Sequence, residues 1–383
     1  MQSSRLTWIK VVSEGVLVKL FFELIQVSIG SKEKLSSVPS AAEWEKLFVL
    51  AEKHAVIGMC FHGIQILYKY QSSQMVNLPI KLKMQWLGIT SNIQIENDLL
   101  NKRAKEVTLL FAEGGFDSVV LKEQGIARLY SDSSLRQSGD IDLWVKGSRE
   151  DVIAFMYWKK WKVGRSVVHH TDVEIFSDAS VEVHHYPSYT YSPIRWLKYK
   201  KWFREQEKIQ FKQMDRSVGF CCPSLEFNLV YVLLHIYRHV FHEGIGLRQL
   251  MDYYMVLQAA SKSKNENSEL RGVAMKILRR FDLERFAGAV MYVEQLVFGM
   301  KDDMLLCSPN IKAGQFLLYE IMRAGNFGKY DERIQNAHKG GLLALYLCNI
   351  KRLSHYTKYY PSEVLWAPFW KVGHYAWRKA KGF

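Results

Sequence analysis

A chain of 383 residues with a net charge of +14, 48% hydrophobic and 23% charged residues, has room for two or three domains and is too apolar for wholesale disorder. Its basic balance favours phosphate-bearing partners, whether nucleotides, nucleic acid or anionic lipid, without choosing among them. Five scattered cysteines, Cys60, Cys221, Cys222, Cys307 and Cys348, form no CxxC pair; they exclude a disulfide framework and read as thiols of a reducing cytosol.

In chain order, GVLVKLFFELIQVSIG comes first. Lys19 and Glu23 interrupt it and no small-residue cleavage site follows, so an amphipathic helix is expected rather than a targeting signal. No run approaches the length of a membrane span, and a cytoplasmic protein is expected. Residues 41–70 and the stretch from Ile80 to Glu113 repeat apolar residues at helical spacing. Ser40 supplies a helix start, and Gly114-Gly115 an end. Residues 1–114 are therefore read as an amino-terminal helical region.

The period then changes. DSVVLK, DIDLWV, VGRSVVHH, DVEIF and SVEVHH are short, rich in β-branched residues and separated by turn residues, the pattern of strands. A short helix is expected around Ile126–Tyr130 and a longer one over SREDVIAFMYWKKW. This α/β region is bounded at 115–215. Residues 216–383 return to helices, with SKSKNENSE as a polar connector.

DIDLWV poses the functional question, because Asp is depleted from strands. Residues i and i+2 share a face, so Asp140 and Asp142 point the same way, roughly 7 Å apart. Ile141, Leu143 and Val145 take the opposite, buried face. Trp144 has the aspartates' parity and is expected to floor a pocket beside them, and Gly139 allows a sharp entry. In SVEVHH, Glu182 and His184 project from one face while Val181 and Val183 bury the other. If the two strands are neighbours, three carboxylates converge, and such hard oxygen donors call for Mg²⁺ or Mn²⁺. The bland reading of Asp-x-Asp is a solvated strand edge or a turn.

Leu121-Lys122, Gly125, Tyr130, Arg136, Gly139-Asp140-Ile141-Asp142-Leu143 and Val181-Glu182-Val183-His184 resemble the uncharacterised nucleotidyltransferase family of the DNA polymerase beta-like superfamily. LLHIYRHV and GIGLRQLMD resemble that family's helical region. The resemblance implies an α+β fold, a small mixed-sheet nucleotidyltransferase core flanked by amino- and carboxy-terminal helical regions. It also implies two divalent cations, Mg²⁺ or Mn²⁺, held by Asp140, Asp142 and Glu182, and a nucleoside triphosphate as substrate. Lys122, Gly125, Arg136 and Gly139 are the candidate nucleotide-binding residues; for Lys122 and Arg136 the other reading is a surface cation or a local salt bridge. One departure stands out: Glu123 occupies the place where the family usually has a glycine that lets backbone amides approach the triphosphate.

Asn228, Tyr231, His235, His239 and His242 lie on one helix face, which reads as the polar wall of a cleft. His235 and His239 are spaced for zinc, but no Glu lies between them and no third ligand is evident. Arg248 and Asp252 are spaced for an ion pair within one helix, with a substrate contact as the other reading. The carboxy-terminal LSHYTKYYPSEVLWAPFWKVGHYAWRKAKGF is read first as an amphipathic helix with its aromatic residues on the core and its lysines in water. Base stacking and contact with an anionic membrane surface are the alternatives.

The leading expectation is transfer of a nucleoside monophosphate to a hydroxyl acceptor, a small molecule, protein or RNA, that no motif identifies. The alternatives are a catalytically weakened nucleotide-binding or regulatory protein on the same fold, and a basic nucleic-acid-binding module.

Overall fold

The computed structural model describes residues 15–70, 76–212, 214–215, 218–262, 267–338 and 341–382. Three amino-terminal helices, α1 (Val16–Ser28), α2 (Ala41–Lys53) and α3 (Ile57–Tyr70), precede α4 (Ile80–Glu113). Ser40 and Glu43 cap α2 reciprocally, each side chain accepting from the other's backbone N–H, as in a capping box. The run over 41–70 is two helices because Ala55 turns to a φ of 56°, outside the helical region. The 34 residues of α4 span about 50 Å.

The sheet contains β1 (Ser118–Val120), β2 (Asp140–Val145), β3 (Lys162–Ser166), β4 (His170–Glu174) and β5 (Ser180–His184). Its order is β1-β2-β5-β4-β3. The β2–β5 pair is parallel and the others are antiparallel, so the fold is α+β with a small mixed sheet. Helix α5 (Lys122–Ala127) starts earlier than the expected 126–130 helix, directly after β1. Helix α6 (Arg149–Trp158) follows β2, and α7 (Pro193–Gln210) leaves the sheet. After the two-residue strands β6 (Met214–Asp215) and β7 (Phe220–Cys221) come α8 (Leu225–His242), α9 (Leu247–Lys262), α10 (Asn267–Arg280) and α11 (Glu284–Phe298). Then follow α12 (Ile311–Ala324), α13 (Glu332–His338), α14 (Gly341–Ser354) and α15 (Pro361–Ala380). Within the polar connector, residues 263–266 lie outside the described residues.

Two apolar clusters organise these elements. One joins the amino- and carboxy-terminal helices through residues such as Phe21, Trp86, Tyr231 and Phe286. The other fills the space under the sheet, where Ile141, Leu143, Val145, Val181 and Val183 meet Val107 and Phe111 of α4. Leu82 and Ile93 of α4 belong to the first cluster, so this one helix stitches both together. Burying each large side chain of this kind contributes about 1.5–3 kcal/mol. The pocket-floor expectation for Trp144 fails. Phe211 at 4.8 Å and Phe227 at 5.7 Å between ring centroids cover that end of the strand face, and Trp144 is fully buried in the first cluster. Among the described residues, no helix is long and apolar enough to cross a membrane.

Candidate active site

The register of β2 and β5 places Asp142 directly opposite Glu182 and Ile141 opposite Val181. The period of two along each strand therefore sends the valines and isoleucine into the lower core and the carboxylates to the other face. Like charges directly opposite are destabilising, and two cationic side chains answer them. Lys122 Nζ lies 2.9 Å from Asp142 Oδ1. His184 Nε2 donates to the same oxygen at 2.7 Å and lies 3.4 Å from Glu182 Oε2. Its Nδ1 faces the Tyr186 carbonyl at 3.3 Å, so both ring nitrogens of His184 point at acceptors, as an imidazolium requires.

Titration follows this geometry. Burial works against the Lys122 ammonium, but Asp142, Asp140 and Glu182 hold its pKa above the ordinary lysine value. Burial likewise opposes charge on His184, and the hydrogen bonds to Asp142 and Glu182 outweigh it, raising the pKa. Asp140 is pushed up to about 8, by burial first and then by Asp142, with Lys122 opposing. Burial would raise Glu182 too, yet the His184 hydrogen bond and the Lys122 and His170 charges hold it below the ordinary carboxylate range.

Donor atoms of Glu123, Asp140 and Asp142 lie within 4.8 Å of one another, and so do those of Asp142, Glu182 and His184. The trio Asp140, Asp142 and Glu182 is thus divided between two overlapping groups that share Asp142. Asp142 is 1% exposed, and its Oδ2 is buried without a hydrogen-bond partner. A buried carboxylate oxygen with nothing to bind is costly, and a hard divalent cation suits it and the neighbouring oxygens. The donor set fits the group that the sequence implies.

Several nucleotide-binding candidates are placed otherwise than expected. Arg136, only 2% exposed, is turned away from the cleft: its guanidinium holds Asp252 at 2.6 Å and Glu123 at 2.5 Å. Arg248 joins Glu123 at 3.5 Å and donates to the Gln137 carbonyl. The expected Arg248–Asp252 pair gives way to partners from the segment between β1 and β2, because Asp252 receives Arg136 and the Tyr130 hydroxyl. Glu123 takes a glycine-like φ of 41°, and burial notwithstanding, Arg136 and Arg248 draw its pKa down to about 2. Gly125 is required by packing, since a Cβ there would stand 2.5 Å from the Val120 carbonyl oxygen. Gly139 has open space where a Cβ would go and lines a cavity of about 1020 Å³ beside Asp140 and Glu182.

A second cavity of about 570 Å³ opens on Lys122, Asp140 and Glu182 from the helical side. His239 and His242 of α8 line it, as a polar cleft wall should. His235 packs behind, 4.3 Å from the His239 ring, and among the described residues these two form no group with metal-ligand spacing. Arg238 was not singled out from the sequence. It donates to His239 Nε2 and to His169 Nε2, each at 2.5 Å. His170 Nδ1 lies 3.0 Å from that His169 nitrogen and 3.3 Å from Glu182 Oε2. A polar chain thus runs from α8 through β4 to the carboxylate of β5.

The sequence profile described as an uncharacterised nucleotidyltransferase matches residues 40–299. The chain belongs to the uncharacterised nucleotidyltransferase family. No curated protein matches it. The family match contains the sheet, α5, α8 and α9, and hence Asp140, Asp142, Glu182 and the Arg136 network. It stops before α15, although Trp370, Lys371 and His374 of that helix line the second cavity. Sequence reasoning missed these three, since helical periodicity alone does not say which polar residue faces a cavity.

Proposed function

We propose that the protein is a metal-dependent nucleotidyltransferase that moves a nucleoside monophosphate from a nucleoside triphosphate to a hydroxyl acceptor. The observation that carries this reading is the Asp142–Glu182 register, with Asp140 two residues along and a buried, unpartnered oxygen on Asp142. Asp140, Asp142 and Glu182 would hold two Mg²⁺ or Mn²⁺ ions, which when bound neutralise phosphate charge and acidify the acceptor hydroxyl. The hydroxyl oxygen forms a bond to the α-phosphorus, the α–β bridging bond breaks, pyrophosphate departs with the electron pair, and the hydroxyl proton is released to solvent. Lys122 neutralises phosphate charge from the cleft wall. His184 holds Asp142 and Glu182 in their common orientation.

The test is binding of Mn²⁺ and of ATP, CTP, GTP and UTP, by calorimetry with and without the metal. We expect metal-dependent binding of at least one nucleotide, and Asp142→Asn to abolish both that binding and any transfer while the fold persists by circular dichroism. Equal nucleotide binding with and without metal, or undiminished binding by the folded variant, overturns the proposal. Binding without release of pyrophosphate toward any hydroxyl acceptor would instead favour a regulatory nucleotide-binding protein, a reading supported by Glu123 at the usual glycine position.

A further inference from the structure

The 570 Å³ cavity is lined by Asp140, Asp172, Glu182 and Glu243, and also by two cations in an unusual setting, Lys371 and Arg238. Lys371 faces it from α15 with no carboxylate within ion-pair distance among the described residues. Its burial, with Arg352 nearby, pulls its pKa down to about 8. In the same lining, the Arg238 guanidinium donates to two imidazoles rather than to carboxylates, and its Nε is buried without a partner. His169, 3% exposed, offers a partnerless Nδ1 in the same wall. Glu243, a carboxylate of the same lining whose pKa Arg238 helps to lower, is already engaged by His239 Nδ1 at 2.5 Å. Two half-buried cations, neither ion-paired to a carboxylate among the described residues, therefore line a space open to ligand, where an entering anion would complete them.

The position of Lys371 is fixed by the helix that carries it. Glu363, buried at the start of α15, accepts from the Tyr191 N–H at 2.6 Å, the Thr190 hydroxyl at 2.7 Å and Arg195 at 2.7 Å. Two turns further on, Trp370 stacks on Tyr189 at 4.8 Å and on His374 at 4.6 Å. Both faces of the indole are occupied, so this tryptophan is a strut rather than a platform for a base. A lysine held on a rigid helix binds an anion with less loss of side-chain freedom than a mobile one.

We propose that Lys371 and Arg238 form an anion subsite for a phosphate-bearing group, so that α15 completes the substrate cleft from outside the family-matched region. Recognition is by charge-assisted hydrogen bonds. Two sources have this chemistry: the β- and γ-phosphates of the nucleotide, running from Lys122 toward Lys371, or a phosphate on the acceptor. The inference rests on the proposed reaction only for which source applies; the subsite itself does not need the metal.

The test uses the full chain and inorganic tripolyphosphate without metal, measured by calorimetry for wild type, Lys371→Ala, Lys371→Glu and Lys371→Arg. Wild type is expected to bind. Lys371→Ala should weaken binding about tenfold or more, Lys371→Glu should weaken it further, and Lys371→Arg should restore most of it, all at unchanged Tm. The same variants are then titrated with ATP and AMP in Mg²⁺ and with glycerol 3-phosphate. A loss for ATP but not AMP assigns the subsite to the nucleotide, and a loss for glycerol 3-phosphate alone assigns it to the acceptor. No binding by wild type, or equal binding by wild type and Lys371→Glu, overturns the inference. Tripolyphosphate binding that depends on Lys371, in a chain lacking metal-dependent nucleotide binding, would leave the subsite standing and remove only the proposed reaction.

Discussion

Arg136 and Arg238 lie against the same helical framework and are treated in opposite ways. Arg136 is enclosed by Glu123 and Asp252, with the Tyr130 hydroxyl sharing Asp252. Arg238 has only imidazole acceptors and a view of the cavity shared with Lys371. The contrast separates two uses of basic residues in a chain with a net charge of +14. A cation whose charge is answered inside the protein ties the segment between β1 and β2 to α9. A cation that donates to imidazoles, with the nearby Glu243 already engaged by His239, is the kind proposed above to meet an entering anion.

The most severe way to break this contrast is to remove the enclosed cation. Arg136→Ala leaves the buried Asp252 with only the Tyr130 hydroxyl and the buried Glu123 with only the more distant Arg248, a loss expected to cost about 3–5 kcal/mol. Glu123→Gly should cost less, because glycine accepts the φ of 41° that glutamate takes under strain. Lys371→Ala should leave stability unchanged or raised, since the lysine has no counter-charge to lose. Urea denaturation of the three variants ranks them. If Arg136→Ala is as stable as Lys371→Ala, the distinction between enclosed and available cations is wrong.

A third kind of buried charge sharpens the comparison. Glu294 on α11 is fully buried, and neither carboxylate oxygen has a partner. No cavity described above reaches it. Burial raises its pKa well above the ordinary value, so the folded state keeps a proton that the unfolded chain releases above about pH 4.5. That group favours folding least at high pH: stability is lost as pH rises from there through the folded-state pKa. Glu294→Leu should therefore stabilise by about 1–3 kcal/mol at pH 7, and the gain should shrink toward pH 4.5. A variant that destabilises at pH 7, or gains equally at both pH values, would contradict this account.

Much of the sheet site was legible in the sequence, because a strand's period of two needs no tertiary context. It put Asp140 and Asp142 on one face, Glu182 and His184 on another, and the β-branched residues beneath, and the register then joined the faces. Parity failed at Trp144 because it says which way a side chain points and not what covers that side; Phe211 and Phe227, far along the chain, turn the face into core there. The enclosure of Arg136 was not legible for a related cause. Its partners, Glu123 and Asp252, come from two different elements, and no local spacing announces such a network. Along α15, aromatic residues and lysines alternate at helical spacing, yet Phe369 and Tyr375 are exposed while Lys371 turns inward. An amphipathic pattern presumes an apolar interior, and this helix faces a polar cavity.

An effect absent at neutral pH and growing only toward acid concerns His54, at the turn between α2 and α3. It is fully buried, both ring nitrogens lack partners, and its ring lies 5.8 Å from Phe21. Burial, aided by Lys53, depresses its pKa to about 3. Between the ordinary histidine value of 6.5 and that figure, the unfolded chain binds a proton that the folded one refuses. Stability conferred by the neutral ring is thus complete above pH 6.5 and falls by about 1.4 kcal/mol per pH unit below it. His54→Phe keeps a flat ring beside Phe21 and removes that proton from the linkage. Unfolding in urea at pH 7.5, 6 and 5 should show wild type and variant diverging toward acid, the variant losing about one proton's worth less of stability. Parallel curves would mean that His54 finds a partner when it charges, and that burial without counter-charge is less constraining here than it is for Glu294.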